Sequence, residues 1–265
     1  MSAVSPSPWT PAPAPVIALR DCSLTLGTTA VARDLSLEVR EGELLGIVGP
    51  SGCGKSSLLR LMMGLLRPDG AGQVAARAEK LAAGMVFQKP VLMPWLSAER
   101  NVELSLRLGP GRIASKAERT ARTERALCLV GLIDFRRHHP HELSGGMQQR
   151  LAIARALVAE PTLLLLDEPF GALDELTRAT LNRELLRIWE NAESCLSTIV
   201  LVTHSITEAV TLSDRVLVLS PRPARVSAAV EVALPKPRSV HFDDLEQMDG
   251  FREAVRGVRA GIARA

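Results

Sequence analysis

The fold of this chain is decided by residues 44–57, which read Leu44-Leu45-Gly46-Ile47-Val48-Gly49-Pro50-Ser51-Gly52-Cys53-Gly54-Lys55-Ser56-Ser57. The pattern is typical of an apolar strand that leads into a glycine-rich loop, with a helix beginning where the loop ends. Backbone N–H groups of such a loop converge on anionic oxygens, and the helix N-terminus adds a favourable dipole. Residues 49–57 are therefore predicted to bind a nucleoside triphosphate, with Lys55 beside the terminal phosphates and Ser56 as a ligand of Mg²⁺.

Length and hydropathy limit the class of protein. With 265 residues, the chain is expected to hold one large domain and a smaller appended one. Its longest uninterrupted apolar stretches, such as 163–166 and 199–202, are far shorter than the ~20 residues that span a bilayer. Because the N-terminus also lacks the pattern of a secretory signal, we expect a chain that does not itself span a membrane and whose site faces the cytosol.

Charge and aromatic content argue against nucleic acid as a partner. The formal net charge is only +3, and the 32 basic residues are interleaved with 29 acidic ones. Aromatic residues make up 3% of the chain and tyrosine is absent, which leaves few platforms on which bases stack. The four cysteines have neither the spacing of a zinc site nor that of a disulfide framework. We therefore predict no nucleic-acid partner and no cysteine chemistry.

The chain is predicted to divide into four parts. Residues 1–15 alternate proline with serine and alanine and are expected to form a disordered tail. Residues 89–149 lose strand character and are expected to form an inserted helical subdomain. The nucleotide-binding core is assigned to residues 16–88 and 150–237, and residues 238–265 to a C-terminal helical extension.

Two patterns predict two kinds of sheet within the core. Short β-like runs over 16–26 and 35–39 predict a small antiparallel sheet, and the helix that begins at Lys55 is expected to run to the turn signal at 68–70. Strands later alternate with helices, which signals a mostly parallel sheet with flanking helices. The predicted elements there are strands 163–166, 198–202 and 215–219 with helices 175–192 and 206–212, and the subdomain is predicted to hold helices 97–106 and 114–130.

Asp167 and Glu168 follow the fully apolar run 163–166. Two adjacent carboxylates at the end of a core strand need a cation nearby. Asp167 is predicted to hold Mg²⁺ through water, and Glu168 to orient and deprotonate the attacking water. An ordinary acidic loop is the alternative for this dipeptide taken by itself.

A second glycine-containing helix start lies between these motifs. Ser144, Gly145 and Gly146 precede a strongly helical run, so backbone amides and the serine hydroxyl offer a second cradle for an anion. A plain helix cap remains the alternative for this tetrapeptide, Leu143 to Gly146.

Two further stretches carry basic residues at helical spacing. The first holds Arg112, Lys116, Arg119, Arg122 and Arg125 and is expected to be a solvated face, with contact to a partner left open. The second is the C-terminal segment, which places Phe251, Val255, Val258 and Ile262 along one face. We expect this helix to dock onto the core, and contact with a lipid surface is the alternative.

Taken in chain order, the motifs resemble those of the ATPase subunits of ABC transporters over roughly residues 16–237. They are Gly54-Lys55-Ser56, Gln88 after a strand, Leu143-Ser144-Gly145-Gly146, Asp167-Glu168, Ala172-Leu173-Asp174 and His204. The resemblance implies an α/β fold: a P-loop NTPase core, RecA-like with a mostly parallel sheet, joined to an antiparallel β-subdomain and an inserted α-helical subdomain. It also implies ATP and Mg²⁺ as cofactors.

The same resemblance implies roles for single residues. Gln88 would contact Mg²⁺ and the attacking water, and His204 would contact the γ-phosphate. The partner would be a second ATPase subunit, expected to be another copy of this chain in head-to-tail arrangement. Each ATP would then lie between the glycine loop of one copy and Ser144, Gly145 and Gly146 of the other, with Asp174 shaping the dimer seam.

One position departs from the family pattern. Leu26 stands where the family usually stacks an aromatic ring on adenine. Leu26, together with Val31, is expected to offer an apolar contact in place of the ring.

Residues 86–95 and 214–223 look like those of ATPases that serve nitrate, sulfonate and taurine importers. This resemblance implies transmembrane permease subunits, with Pro94-Trp95 near the groove for their coupling helix, and indirectly a solute-binding protein. It places the chain at the cytoplasmic face of the inner membrane, attached through the permease. The competing hypothesis is a soluble ABC-type ATPase of DNA repair or translation, which the short stretch between Lys55 and Ser144 and the single copy of each motif disfavour.

Overall fold

The computed structural model describes residues 15–76, 82–108, 112–171, 173–192 and 194–265. The strands are β1 (Ile17–Leu26), β2 (Thr29–Val39), β3 (Leu44–Val48), β4 (Gln73–Ala76), β5 (Ala83–Val86), β6 (Leu163–Asp167), β7 (Thr198–Val202), β8 (Arg215–Leu219) and β9 (Val226–Glu231). The helices are α1 (Lys55–Met62), α2 (Ala98–Leu108), α3 (Lys116–Leu129), α4 (Gly145–Leu157), α5 (Glu175–Glu190), α6 (Ile206–Leu212) and α7 (Asp249–Ala263). Apart from residue 15, the predicted disordered tail lies outside the described residues.

A six-stranded sheet in the order β5-β6-β7-β3-β8-β9 forms the centre of the fold. Its first five strands run parallel, and β9 adds to β8 in the antiparallel sense. Every residue of β3, β6, β7 and β8 is buried, which is why these strands read as continuous apolar runs in the sequence. The predicted α/β fold with a mostly parallel sheet is confirmed, and it brings the carboxyl ends of β3, β6 and β7 to one edge.

The predicted antiparallel sheet is also confirmed. Its order is β2-β1-β4, with Ile17 paired to Val39 on one side and to Ala76 on the other. Leu19, Leu35 and the buried side of α1 share one apolar cluster with β3. The small sheet is thereby fixed against the strand that leads into the glycine loop.

Helix α1 is shorter than predicted. It ends at Met62, whereas the sequence pattern was expected to continue to the turn at 68–70. Gly64 adopts a left-handed conformation (φ 69°), its N–H donates to Leu61 O (3.0 Å), and Leu65 N donates to Arg60 O (2.8 Å). These two bonds form a Schellman motif that closes the helix, and Leu65 beyond it is exposed.

The segment after β5 is helical, as predicted, and α2, α3 and α4 pack around Val102, Leu127 and Leu151. Helices α2 and α3 each begin one or two residues later than predicted. The assignment of residues 89–149 to a separate subdomain, like the other three boundaries, stays a prediction.

Strand β9 was not predicted; it lies at the edge of the main sheet and is covered by α7. Helix α7 docks onto the core, as predicted: Phe251 and Val258 of the predicted face are buried, but Ala254 and Gly261 are buried with them and Ile262 is exposed. The reason is Gly261, where a Cβ would stand 2.9 Å from Ala228 Cβ, so the helix approaches β9 with its backbone. Within the described residues, no helix has the length and apolarity that crossing a bilayer requires.

Candidate active site

The glycine loop wraps around the side chain of Lys55. This lysine is only 5% exposed, and its Nζ donates to the carbonyl oxygens of Gly49 (3.0 Å) and Pro50 (3.1 Å). Gly52 (φ 74°) and Gly54 (φ 119°) adopt left-handed conformations, which other residues adopt only with strain. The loop is therefore held around an ammonium group at the N-terminus of α1, as an anion-binding loop requires.

Val31 and Leu26, the two predicted contacts of the base, have different surroundings. Val31 is 4% exposed, and its Cγ1 would lie 2.6 Å from a Cβ placed on Gly54. Val31 thus packs beneath the loop and accounts for a glycine at position 54. Leu26 is 40% exposed at the end of β1, so its side chain is available for an apolar contact. The contact of either residue with a base stays a prediction.

Asp167 is the last residue of β6 and is buried. Its Oδ1 accepts a hydrogen bond from Ser56 Oγ (2.9 Å), which joins the end of β6 to the start of α1. Burial raises the pKa of Asp167, with the neighbouring Glu168 acting in the same direction and the bond from Ser56 opposing it. A cation placed at this carboxylate would relieve the cost of burying its charge.

Glu168 is the residue on which the predicted site converges. Gln88 Nε2 donates to its Oε2 (3.2 Å), His204 Nδ1 lies 3.4 Å from the same oxygen, and Lys55 Nζ lies 3.8 Å from Oε1. Glu168 has φ 44°, a conformation uncommon outside glycine, and its N–H donates to Val202 O (2.9 Å) at the end of β7. The structure thus brings three residues predicted from separate motifs around the carboxylate of Glu168.

The donor set at this edge fits Mg²⁺. The hydroxyl of Ser56 and the carboxylate of Asp167 are in contact. The amide nitrogen of Gln88 donates to Glu168, which leaves the amide oxygen of Gln88 available as a ligand. Oxygen ligands of this kind, completed by water and phosphate oxygens, are what Mg²⁺ prefers. In the described part of the chain, no cluster of three or more His, Cys, Asp or Glu side chains offers a metal site made of protein alone.

Within the described residues, no hydrogen bond or ion pair joins Ser144, Gly145 or Gly146 to the glycine loop of the same chain. Ser144 Oγ accepts from Met147 N (3.3 Å) and caps α4, and a Cβ on Gly145 would meet no atom within 4 Å. Gly146 faces α5, where a Cβ would lie 3.1 Å from Thr177 Cγ2. The amides at this helix start are accessible for a ligand that lies outside the chain.

Asp174 caps α5 through a bond from Thr177 N to its Oδ1 (3.0 Å), and this bond lowers the pKa of its carboxyl. Thr177 therefore touches both the turn at Asp174 and the start of α4 at Gly146. Sequence reasoning missed Thr177, because a threonine in the first turn of a helix carries no distinctive signal.

Sequence reasoning also missed Asn101, a fully buried residue of α2. Its Oδ1 accepts from Met93 N (2.7 Å), and its Nδ2 donates to the carbonyls of Met93, Leu96 and Ser97. The amide fixes the loop that presents Trp95, which is 71% exposed and not a buried turn aromatic. The available signal was an asparagine at a core-facing helical position, next to Val102.

Known proteins match this chain in sequence and in structure. The family model described as ABC transporter matches residues 32–171. The chain is 47% identical over 236 residues to the taurine import ATP-binding protein TauB of Pseudomonas aeruginosa, which covers 87% of this chain and 83% of that protein. It is 38% identical over 227 residues to the aliphatic sulfonates import ATP-binding protein SsuB of Bacillus cereus, with 84% and 86% covered. A solved dimeric ATP-binding cassette in a post-hydrolysis state, bound to ADP and Pi, matches with TM-score 0.70 and 31% identity over 83% of this chain and 100% of that chain.

A glycine loop after one parallel strand, facing an Asp-Glu pair after another at the same sheet edge, defines a P-loop nucleoside triphosphatase. Within that class, the matches show that the chain belongs to the ABC transporter family, as an ATP-binding subunit that hydrolyses ATP.

Proposed function

We propose that this protein works as a pair of identical chains that bind two ATP molecules between them and power the import of a small sulfonate such as taurine. The observation that carries the catalytic part is Glu168, held at the end of β6 by Lys55, Gln88 and His204. Its left-handed backbone aims the carboxylate into the space between the glycine loop and the neighbouring strand end. Strain of this kind is maintained where a fixed position has a use.

In this proposal each residue has one task. The glycine loop and Lys55 bind the phosphates of ATP, Ser56 and Asp167 hold Mg²⁺ together with Gln88, and Glu168 accepts a proton from the attacking water. The metal, when bound, supplies positive charge that stabilises the transferred phosphoryl group. His204 would contact the γ-phosphate, a role that its position beside Glu168 supports.

The pairing of two chains is supported by the accessible start of α4. Within the described residues, no hydrogen bond joins the amides of Gly145 and Gly146 to another loop, and amides at a helix N-terminus attract an anion. A second copy in head-to-tail orientation would place these amides on the ATP of the first. Asp174, at the turn before α5, and Thr177, which lies beside Gly146, would then lie at the dimer seam.

Coupling to import is supported by the relatives and by one surface feature. The relatives named for taurine and aliphatic sulfonate import are matched over more than four fifths of their length. Trp95 and Val91 are exposed on a loop that Asn101 fixes, which suits contact with a membrane-embedded permease. The chain would thus be a peripheral subunit at the cytoplasmic face of the inner membrane, served by a solute-binding protein.

Replacing Glu168 by glutamine tests the catalytic part. The amide keeps the shape and the bonds to Gln88 and His204 but cannot take a proton, so we expect ATP turnover to fall about 10²- to 10⁴-fold. Glu246→Gln, an exposed carboxylate distant in sequence from the site, serves as the matched control and should keep full turnover. Hydrolysis by the Glu168→Gln protein at the unmodified rate would contradict the assignment of Glu168.

The cargo is tested in the complete transporter. The chain, its permease and its binding protein are reconstituted in vesicles, and ATP hydrolysis is measured with taurine, an alkanesulfonate or nitrate as solute. We expect taurine or the alkanesulfonate to stimulate hydrolysis and to accumulate inside. Stimulation by nitrate alone would contradict a sulfonate cargo while leaving the ATPase intact.

A further inference from the structure

A groove lined by basic side chains runs along the outer side of α2 and the start of α3. It consists of two adjoining cavities of about 400 and 390 Å³ that share Arg107 and Arg119. Four exposed cations line it: Arg100, Arg107, Arg112 and Lys116. We call this set of four the basic groove.

The structure separates the basic groove from the neighbouring cations of α3. Arg119 donates to Glu103 Oε1 (2.8 Å) and to the carbonyls of Ile113 (2.9 Å) and Ala114 (2.8 Å), so its charge is used within the fold. Arg122 pairs with Glu118 (3.0 Å) and with Glu160 (2.8 Å). The basic stripe seen in the sequence is therefore only partly a free surface.

The side chains of the basic groove have no such partners. Among the described residues, none of the four forms an ion pair or a side-chain hydrogen bond. The one carboxylate that lines the groove, Glu103, is already paired with Arg119, and Glu99 nearby on α2 does not line either cavity. Unpaired charges of one sign, side by side, attract an anionic partner.

Exposed apolar side chains accompany this charge. Leu108 lines the groove and is 77% exposed, and Leu96 lines its other end next to Trp95, which is 71% exposed. Cations beside an exposed leucine suit the anionic and partly apolar surface of a membrane. A solvated protein face needs charge but gains nothing from exposing leucine and tryptophan.

We propose that the basic groove binds the anionic headgroups of membrane phospholipids. The proposal rests on the proposed attachment to a permease, which would hold the face around Trp95 close to the bilayer. Lipid contact at the groove would orient the protein on the membrane independently of nucleotide. The other basic amphipathic element, α7, has its apolar face packed on the core and is not a candidate.

The test compares two variants of the full-length protein that lose the same number of positive charges. The groove variant carries Arg100→Gln, Arg107→Gln, Arg112→Gln and Lys116→Gln. The matched control carries Arg252→Gln, Arg256→Gln, Arg259→Gln and Arg264→Gln on the exposed side of α7. Binding is measured by cosedimentation with vesicles of phosphatidylcholine, with and without phosphatidylglycerol.

We expect the unmodified protein to bind only the vesicles that contain phosphatidylglycerol, and to bind them less as salt is added. The groove variant should bind at least ~10-fold more weakly, and the α7 control should bind nearly as well as the unmodified protein. Equal losses in both variants, or no loss in the groove variant, would overturn the proposal. The proposal would also be overturned if the protein failed to bind lipid but bound the permease in neutral lipid through the groove. That result would assign the groove to an acidic segment of the permease.

ATP hydrolysis in solution, without vesicles, separates this proposal from the proposed function. Both charge variants should hydrolyse ATP at the unmodified rate, because neither touches the residues around Glu168. Normal hydrolysis with unchanged lipid binding in the groove variant overturns the lipid proposal alone. Absent hydrolysis in the unmodified protein would instead overturn the proposed function.

Discussion

At the scale of single residues, the site depends on buried charges. Lys55 is buried against two loop carbonyls, and Asp167 is buried at a strand end. Buried charges remain stable only when they are paired or hydrogen-bonded. A triphosphate with Mg²⁺ would satisfy both groups at once, which is the physical reason why the site suits that ligand.

Replacing Lys55 by alanine removes the ammonium that the loop carbonyls hold in place. We expect ATP binding to weaken about 10- to 100-fold, because a charged contact to phosphate is lost. Titration with a fluorescent ATP analogue measures this, and Lys116→Ala, on the surface of α3, should leave the affinity unchanged. Unaltered affinity of a folded Lys55→Ala protein would show that the loop does not bind phosphate.

Glu208 is a buried carboxyl of α6 that faces Thr203, Asn182, Arg178 and His204. Burial raises its pKa, and the facing hydroxyl, arginine and amide only partly oppose that shift. One carboxyl oxygen, Oε1, has no hydrogen-bond partner among the described residues. The charged form is therefore unfavourable in the folded protein.

A raised pKa gives this residue a defined effect on stability. The stabilisation that protonated Glu208 contributes is complete below the pKa that this carboxyl has in the unfolded chain. It is lost as the pH rises through the pKa of the same carboxyl in the folded protein. Compared with the unmodified protein, Glu208→Gln should therefore gain free energy of unfolding as the pH is raised from the ordinary pKa of a glutamate towards neutrality. Urea titrations across that range measure the difference, with Glu246→Gln as the exposed control. A constant difference would contradict the raised pKa.

At the scale of elements, the strands were predictable where burial is complete. The sequence runs 198–202 and 215–219 coincide with β7 and β8, and 206–212 coincides with α6. Such runs leave few alternatives, because an apolar run between polar ends must be buried. The predicted end of α1 is wrong because Gly64, which ends the helix, lies inside an apolar pattern. The later turn signal at 68–70 is the more distinctive one in the sequence.

The edge strand β9 was not predictable from its composition. Residues 226–231 are partly exposed along their whole length, so no apolar run marks them. The strand is defined by its pairing with β8 and by α7 above it, which are long-range contacts. Thr177, which packs against Gly146 from another helix, escaped prediction for the same reason.

Helix α7 owes its position to the glycine at 261. A Cβ there would stand 2.9 Å from Ala228 Cβ and 3.0 Å from Val218 Cγ2. Gly261→Val should force the helix off β9 and lower the free energy of unfolding by about 1 to 3 kcal/mol, measured by urea denaturation. Ile262→Ala changes the exposed neighbour and should cost less than ~0.5 kcal/mol. Equal effects would contradict the close approach of α7.

At the scale of the whole molecule, the main sheet brings the phosphate loop, the two carboxylates and His204 together at one edge. Within the described residues, the start of α4 forms no hydrogen bond or ion pair with that loop. The order of the motifs along the chain predicted the first group well, since each follows a buried strand. The pairing of two chains was given by resemblance alone.

The central claim is that ATP joins two copies of this chain. It is tested most directly by sedimentation velocity of the Glu168→Gln protein with Mg²⁺, in the presence and absence of ATP. We predict a monomer without nucleotide and a stable species of twice the mass with ATP, because binding proceeds and hydrolysis does not. A Glu168→Gln protein that binds ATP at saturation and still sediments as a monomer would contradict the account.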